Sequence, residues 1–210
     1  MKLKIVIIDY GIGNIKSLIN SFDQNIVNIV ISNEKKEILG SNGIILPGVG
    51  AFSEGMRNFN KFGLKPILDE YLDSGKPLLG ICLGMQMLFE SSEEFGHCKG
   101  IGYIQGHVKK LERKIKLPHI SWNEVRPRDL SWNGTILDGV QINSDFYFIH
   151  SFVPQPKKTS NILSLTNYHN IEFCSSVKKN NIYGTQFHPE KSGPNGIKLM
   201  SNFINICKKL

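Results

Sequence analysis

Short, unbroken apolar runs separated by glycine turns and amphipathic stretches organise the first half of this chain. Ile5-Val6-Ile7-Ile8, Ile29-Val30-Ile31 and Gly43-Ile44-Ile45-Leu46 read as buried strands. A helix is predicted from about Asn14 to Phe22, and Leu64–Leu72 carries helical spacing that stops before Gly75. Lys76-Pro77-Leu78-Leu79-Gly80-Ile81 ends a further apolar run, and Met85-Gln86-Met87-Leu88-Phe89 continues as a helix. Strands alternating with helices predict an α/β fold with a mostly parallel central sheet flanked by helices.

The later pattern differs. Shorter β elements are predicted near Gly106-His107-Val108, Tyr147-Phe148-Ile149, Ile162–Leu165 and Glu172-Phe173-Cys174, which points to an antiparallel extension. Ile182–Phe187 reads as another buried strand. The last helix, roughly Asn195 to Lys208, places Ile197, Met200, Ile204 and Cys207 on one side, and core packing accounts for them. No repeat, low-complexity tract or linker interrupts the pattern, so residues 1–210 are expected to form a single domain.

Composition narrows the class. No run is long or apolar enough to span a bilayer, and Lys2-Leu3-Lys4-Ile5-Val6 leads into a strand rather than a signal peptide. The four cysteines, Cys82, Cys98, Cys174 and Cys207, have no C-x-x-C spacing. They suggest reduced thiols in a cytoplasmic protein, with neither a disulfide framework nor a metal site. The net charge of +7 raises the question of nucleic acid. The lysine pairs (Lys35-Lys36, Lys109-Lys110, Lys178-Lys179, Lys208-Lys209) are scattered to element ends. No nucleic-acid partner is expected from that distribution; a solvated surface explains it.

Gly80-Ile81-Cys82-Leu83-Gly84 carries the most specific chemistry. Its spacing is that of a nucleophile elbow, a sharp strand-to-helix turn, with Cys in place of Ser. At a helix N-terminus the thiolate is favoured. Taken alone, the motif equally fits a buried Cys between packing glycines. A thiol nucleophile needs a base, and the base an orienting acceptor. Gln186-Phe187-His188-Pro189-Glu190 supplies both: His188 as base and Glu190, two residues on in an extended chain, to hold the imidazole. Pro47-Gly48-Val49-Gly50 is a flexible turn after a strand, whose N–H groups, with that of Leu83, can hold an oxyanion.

In this order, the segments resemble those of class I glutamine amidotransferases. More narrowly they are similar to the glutaminase subunits of imidazole glycerol phosphate synthases. The matching stretches are Ile8-Asp9-Tyr10-Gly11-Ile12-Gly13-Asn14, Pro47–Phe52, Gly80–Gln86, Tyr147–Ser151 and Gln186–Ser192. They run nearly from end to end of the chain. The resemblance implies the class I amidotransferase (flavodoxin-like) fold and a Cys82-His188-Glu190 triad that hydrolyses L-glutamine through a glutamyl thioester. It implies that Gln86 and Glu94 contact the bound glutamine, aided by the main chain at His150, Ser151 and Phe152. From the residues alone, Gln86 also fits a partly buried helix polar group and Glu94 a solvated loop carboxylate.

The resemblance further implies a heterodimer with a (β/α)8 cyclase that takes the ammonia for histidine synthesis, and no cofactor. Asn14, Trp122, Asn123, Tyr147 and Lys191 match positions facing that partner; for Trp122, core packing is the other reading. Ile120-Ser121-Trp122-Asn123 stands where the family usually has Met-Gly-Trp-Asn. That departure keeps open a paralogous glutaminase serving a sugar amidotransferase. A non-catalytic scaffold would predict a broken triad, yet all three residues are present. A peptidase on the same elbow would need neither the Pro-Gly-Val-Gly turn nor Glu190.

Overall fold

The apolar runs of the first half become adjacent strands of one sheet. The computed structural model describes residues 2–22, 26–111, 115–129 and 131–209. Its first half comprises β1 (Leu3–Ile8), α1 (Ile15–Asn20), β2 (Val27–Ser32), α2 (Lys35–Leu39), β3 (Gly43–Leu46), α3 (Phe52–Lys61), α4 (Leu64–Asp73), β4 (Leu78–Ile81) and α5 (Leu83–Met87). There follow β5 (Phe89–Ser92), β6 (Cys98–Lys99), β7 (Ile104–Lys110), β8 (His119–Pro127), β9 (Ser144–His150) and β10 (Phe152–Pro156). The chain closes with β11 (Ile162–Tyr168), β12 (Ile171–Lys179), β13 (Ile182–Thr185) and α6 (Gly193–Cys207).

The main sheet has nine strands in the order β2-β1-β3-β4-β13-β12-β11-β8-β9. β2 through β13 in that order are parallel, and from β12 outward the pairing is antiparallel. A second sheet, β10-β7-β5-β6, packs on the face of the main sheet that carries Val6 and Ile8. The expected parallel sheet with an antiparallel extension is therefore present.

Alternation along the central strands explains their uniform apolarity. Ile5 and Ile7 face a core shared with α1, α6 and the antiparallel strands, while Val6 and Ile8 face one shared with α2–α5 and the second sheet. Both faces are dry, so both parities must be apolar. Each such side chain contributes roughly 1.5–3 kcal/mol on burial.

Three local expectations are corrected. The elbow helix ends at Met87, and Phe89 begins β5, where it pairs with Ile104 and is fully buried. Strand pairing in the second sheet overrides the apparent helical continuation. The last helix buries Leu199, Met200, Phe203, Ile204 and Cys207, but Ile197 is 58% exposed and lies off that stripe. The strand before the base stops at Thr185, two residues short of Phe187. No helix among the described residues is long and apolar enough to cross a membrane. The lysine pairs sit at element ends, and several lysines meet surface carboxylates, such as Lys35 with Glu70 at 2.7 Å. Pairs of this kind contribute little to stability.

Candidate active site

The elbow forms because the chain leaves β4 through a strained residue. Cys82 has φ 53° and ψ −109°, a region that L side chains rarely occupy, and its N–H is held by the Thr185 carbonyl at 2.7 Å. The flanking glycines serve a different end from the one their spacing suggests. Neither Gly80 nor Gly84 has positive φ. They are needed because neighbouring backbone comes too close for a side chain: a Cβ on Gly84 would lie 1.9 Å from the Leu46 oxygen, and one on Gly80 2.8 Å from the Met85 nitrogen. The strain rests on the cysteine, and the glycines let the elbow press against β3.

The Pro47–Gly50 turn packs on that elbow. A Cβ on Gly48 would sit 2.8 Å from the Gly84 nitrogen, from Leu83 Cβ and from the Tyr10 hydroxyl. Tyr10, fully buried, donates from its hydroxyl to the Pro47 carbonyl at 2.5 Å and so pins the start of the turn. Burial, with the negative charge of Cys82 nearby, raises the Tyr10 pKa, which keeps the hydroxyl a donor. Val49, Gly50 (φ +92°) and Leu83 line a cavity of about 420 Å³ with Cys82, and Gly48 lies behind them.

Adjacency of β4 and β13 brings the base to the same mouth, at the carboxyl ends of neighbouring parallel strands. His188 and Glu190 line the cavity with Cys82. Pro189–Lys191 is a 3-10 turn rather than the extended segment expected, since Pro189 presets the first helical position. The turn still brings Glu190 Oε1 within 2.7 Å of His188 Nδ1. Ser192, whose part sequence reasoning missed, locks it by donating to the His188 carbonyl at 2.6 Å and accepting from the Tyr147 N–H at 3.0 Å. The His188 N–H in turn donates to the Tyr147 carbonyl at 2.9 Å.

With Nδ1 committed to Glu190, Nε2 is the nitrogen free to exchange a proton, and it is buried without a hydrogen-bond partner among the described residues. Burial alone would lower the His188 pKa, but the charges of Cys82 and Glu190 outweigh it and carry the group up to about 10. His188 is therefore held as an imidazolium in the cavity that Cys82 lines. The helix that follows Cys82 has only five residues, so His188 rather than a long helix dipole supplies most of the positive field.

A pH dependence of stability follows. A folded pKa near 10 against an ordinary 6.5 means that the stabilisation from His188 is complete below about pH 6.5 and is lost as pH rises through about 10. Urea unfolding across that window should show wild type losing stability toward pH 10. In Cys82→Ala, where the larger raising charge is gone, the loss should still begin near pH 6.5 but be smaller and end at lower pH. Superimposable profiles for the two proteins would contradict the ion pair.

The rest of the cavity is a hydrogen-bonded cradle. Gln86 is buried, and its Nε2 donates to the Phe152 carbonyl at 2.9 Å and to Gln186 Oε1 at 3.0 Å. Gln186 Nε2 in turn lies 3.7 Å from Cys82 Sγ. Sequence reasoning quoted Gln186 but assigned it nothing; its place two residues before the base was the available signal. His150 Nδ1 bonds the same Phe152 carbonyl at 3.1 Å. Glu94 Oε2 accepts the Phe52 N–H at 2.7 Å, so this carboxylate is held at the start of α3 instead of floating in solvent. Glu94, Ser151 and Phe152 line both this cavity and a wider neighbour of about 740 Å³.

The residues predicted to face a partner divide between places. Asn14 caps α1 and lines the cavity, as does Lys191. Trp122 is 51% exposed, which removes the core-packing reading, and it meets Tyr147 edge-on across β8 and β9. Lys191 Nζ lies 5.6 Å over the Tyr147 ring. Ile120 and Ile149, paired in register, extend this exposed apolar face. Asn123 is not on it. Strand alternation puts Asn123 on the other face with His119 and Ser121, where its amide is hydrogen-bonded inward.

Known proteins match both this fold and this sequence. The family described as glutamine amidotransferase class-I matches residues 6–207. The imidazole glycerol phosphate synthase subunit HisH of Moorella thermoacetica is 42% identical over 205 residues, covering 97% of this chain and 95% of that protein. The subunit HisH 2 of Methanococcus maripaludis is 46% identical, covering 95% and 98%. Among solved structures, PurLQS from Thermotoga maritima superposes with a TM-score of 0.74 at 18% identity, covering 98% of this chain and 99% of that one; it bears on the fold alone. A thiol on a strained elbow, a buried His–Glu pair in the same cavity and matches of this extent place the chain in the class I glutamine amidotransferase family, among the relatives named as HisH subunits.

Proposed function

We propose that this chain is the glutaminase subunit of an imidazole glycerol phosphate synthase, hydrolysing L-glutamine at Cys82 and delivering ammonia to a (β/α)8 cyclase partner. The observation that carries the chemistry is the buried Nε2 of His188, unpartnered among the described residues and charge-coupled to Cys82, with Nδ1 fixed by Glu190. The Cys82 thiolate attacks the side-chain amide carbon of glutamine. The oxyanion is held by N–H groups of Val49, Gly50 and Leu83. His188 gives its proton to the amide nitrogen, and ammonia leaves. A water then loses a proton to His188 and attacks the thioester, releasing glutamate and restoring the ion pair. Glu190 keeps His188 oriented throughout.

Gln86, Glu94 and the Ser151–Phe152 main chain are the substrate-holding groups in this reading. Ammonia set free in neutral water protonates and ceases to be a nucleophile, so it must pass directly to an acceptor. The face of exposed Ile120, Trp122 and Ile149 and half-buried Tyr147, with Lys191 beside it, has the chemistry of a docking surface next to the cavity. Relatives bearing the synthase name favour the cyclase over the sugar-amidating alternative.

The test is glutamate release from glutamine, alone and with the same organism's cyclase and its nucleotide ligand. Stimulation of about tenfold or more is expected, within the usual range of coupling between sites. Turnover that the liganded cyclase leaves unchanged would reject the partner assignment.

A further inference from the structure

Two consecutive residues at the end of β13 hold Cys82 by its main chain and by its sulfur. The Thr185 carbonyl accepts the Cys82 N–H at 2.7 Å, and the Gln186 side-chain amide lies 3.7 Å from Cys82 Sγ. Gln186 is fully buried, and its own N–H donates to the Ser175 carbonyl at 2.9 Å. Its main chain and its side chain are therefore both fixed where β13 meets the elbow.

Hydrogen-bond geometry decides which end of that amide meets the sulfur. The Phe152 carbonyl can only accept, so the Gln86 atom 2.9 Å from it is the nitrogen, Nε2. That nitrogen has a second proton, and the Gln186 atom 3.0 Å from it accepts, as Oε1. The other end of the Gln186 amide, Nε2, then faces the sulfur as a donor. Turning Gln86 over would set its oxygen against a carbonyl. Turning Gln186 over would set nitrogen against nitrogen. Both would leave buried polar groups unsatisfied, which is costly. The Ile149 carbonyl, 4.0 Å from the sulfur, can take the proton of a thiol but offers nothing to a thiolate.

We propose that Gln186 is a further catalytic residue: its Nε2 donates a hydrogen bond to the Cys82 sulfur that favours thiolate over thiol, and the Phe152–Gln86–Gln186 chain holds that donor in place before substrate arrives. The kinetic part rests on the glutaminase reading; the contact with the sulfur does not. His188 supplies charge, whereas the amide is neutral and remains a donor whatever the pH. When water opens the thioester, the sulfur leaves with the bonding electrons, and the same donor receives it.

The experiment follows alkylation of Cys82 by iodoacetamide against pH in the full chain without glutamine, read by mass on the peptide that carries Cys82. Gln186→Met keeps the volume and loses the donor. Its pH of half-maximal rate should lie about one pH unit above that of wild type, the value of one charge-assisted hydrogen bond. The acid limb of kcat/KM for glutamine in the cyclase complex should move by the same amount. Activity lowered evenly across pH, with the alkylation curve unmoved, is what a packing role would give, and it would overturn the proposal. Wild type supplies a second reading that needs no Gln186 variant. Its Gln186 side-chain amide signals in ¹H–¹⁵N spectra should move with pH along the alkylation curve and lose that movement in Cys82→Ala. Signals that ignore the titration of the thiol would overturn the proposal even if Gln186→Met failed to fold. If wild type turned over no glutamine at all, the function would be wrong, and alkylation and the amide signals would decide the contact by themselves.

Discussion

Replacing Cys82 with alanine is expected to abolish glutamine hydrolysis while the protein stays folded. The sulfur lies in a cavity whose base is already oriented: His188 Nδ1 is committed to Glu190, and its Nε2 is left for the thiol and the substrate. Nucleophile losses in triad hydrolases lower turnover by roughly 10⁴ to 10⁶, because a base and an oxyanion site cannot replace the covalent step. The fold should be spared. Cys82 is a small side chain at the rim of a cavity, and alanine at φ 53° carries the same Cβ strain that cysteine already bears. Glutamate release and thermal unfolding measured together would check this. Turnover within about tenfold of wild type would sink the assignment of Cys82.

Gly84→Ala should produce a large loss of stability from a single methyl group. The new Cβ would fall 1.9 Å from the Leu46 oxygen and 2.8 Å from the Leu46 carbonyl carbon. Those atoms are main chain at the end of β3, and they lead directly into the Pro47–Gly50 turn. No side chain can swing away, so either the elbow or the turn must move. A cost of about 3 kcal/mol or more is expected, at the severe end for overpacking, and a fall in Tm of roughly 6–12 °C for a chain of this size. Gly63→Ala is the control: Gly63 has φ +59° but open space around its Cβ position. Its cost should be only the backbone term, about 1 kcal/mol. A Gly84→Ala protein melting within about 2 °C of wild type would show that the elbow is looser than the packing indicates.

How much of this was visible in the sequence depends on what carries each signal. β1, β3 and β4 were legible because burial on both faces demands apolar residues at every position. β8 was not, because its inner face is His119, Ser121 and Asn123, polar residues satisfied by one another, and no period-two apolar pattern survives. The short α5 was overread because Leu88 and Phe89 are as apolar in a sheet as in a helix, and only pairing to β7 separates the two. The elbow was visible through its glycine spacing, although the reason for that spacing is close backbone approach rather than freedom of φ. The structure gathers Cys82, His188 and Glu190 into one cavity. Tyr10, Gln186 and Ser192 act through hydrogen bonds to residues far along the chain, and no local pattern announces such bonds.

The most direct measurement is the mass of the enzyme quenched in acid during turnover with glutamine, followed by digestion and location of the adduct. The account predicts a glutamyl group on the peptide containing Cys82, absent in Cys82→Ala and discharged on further incubation as glutamate. Glutamate production with Cys82 unmodified throughout, or with the acyl group on Cys98 instead, would contradict it.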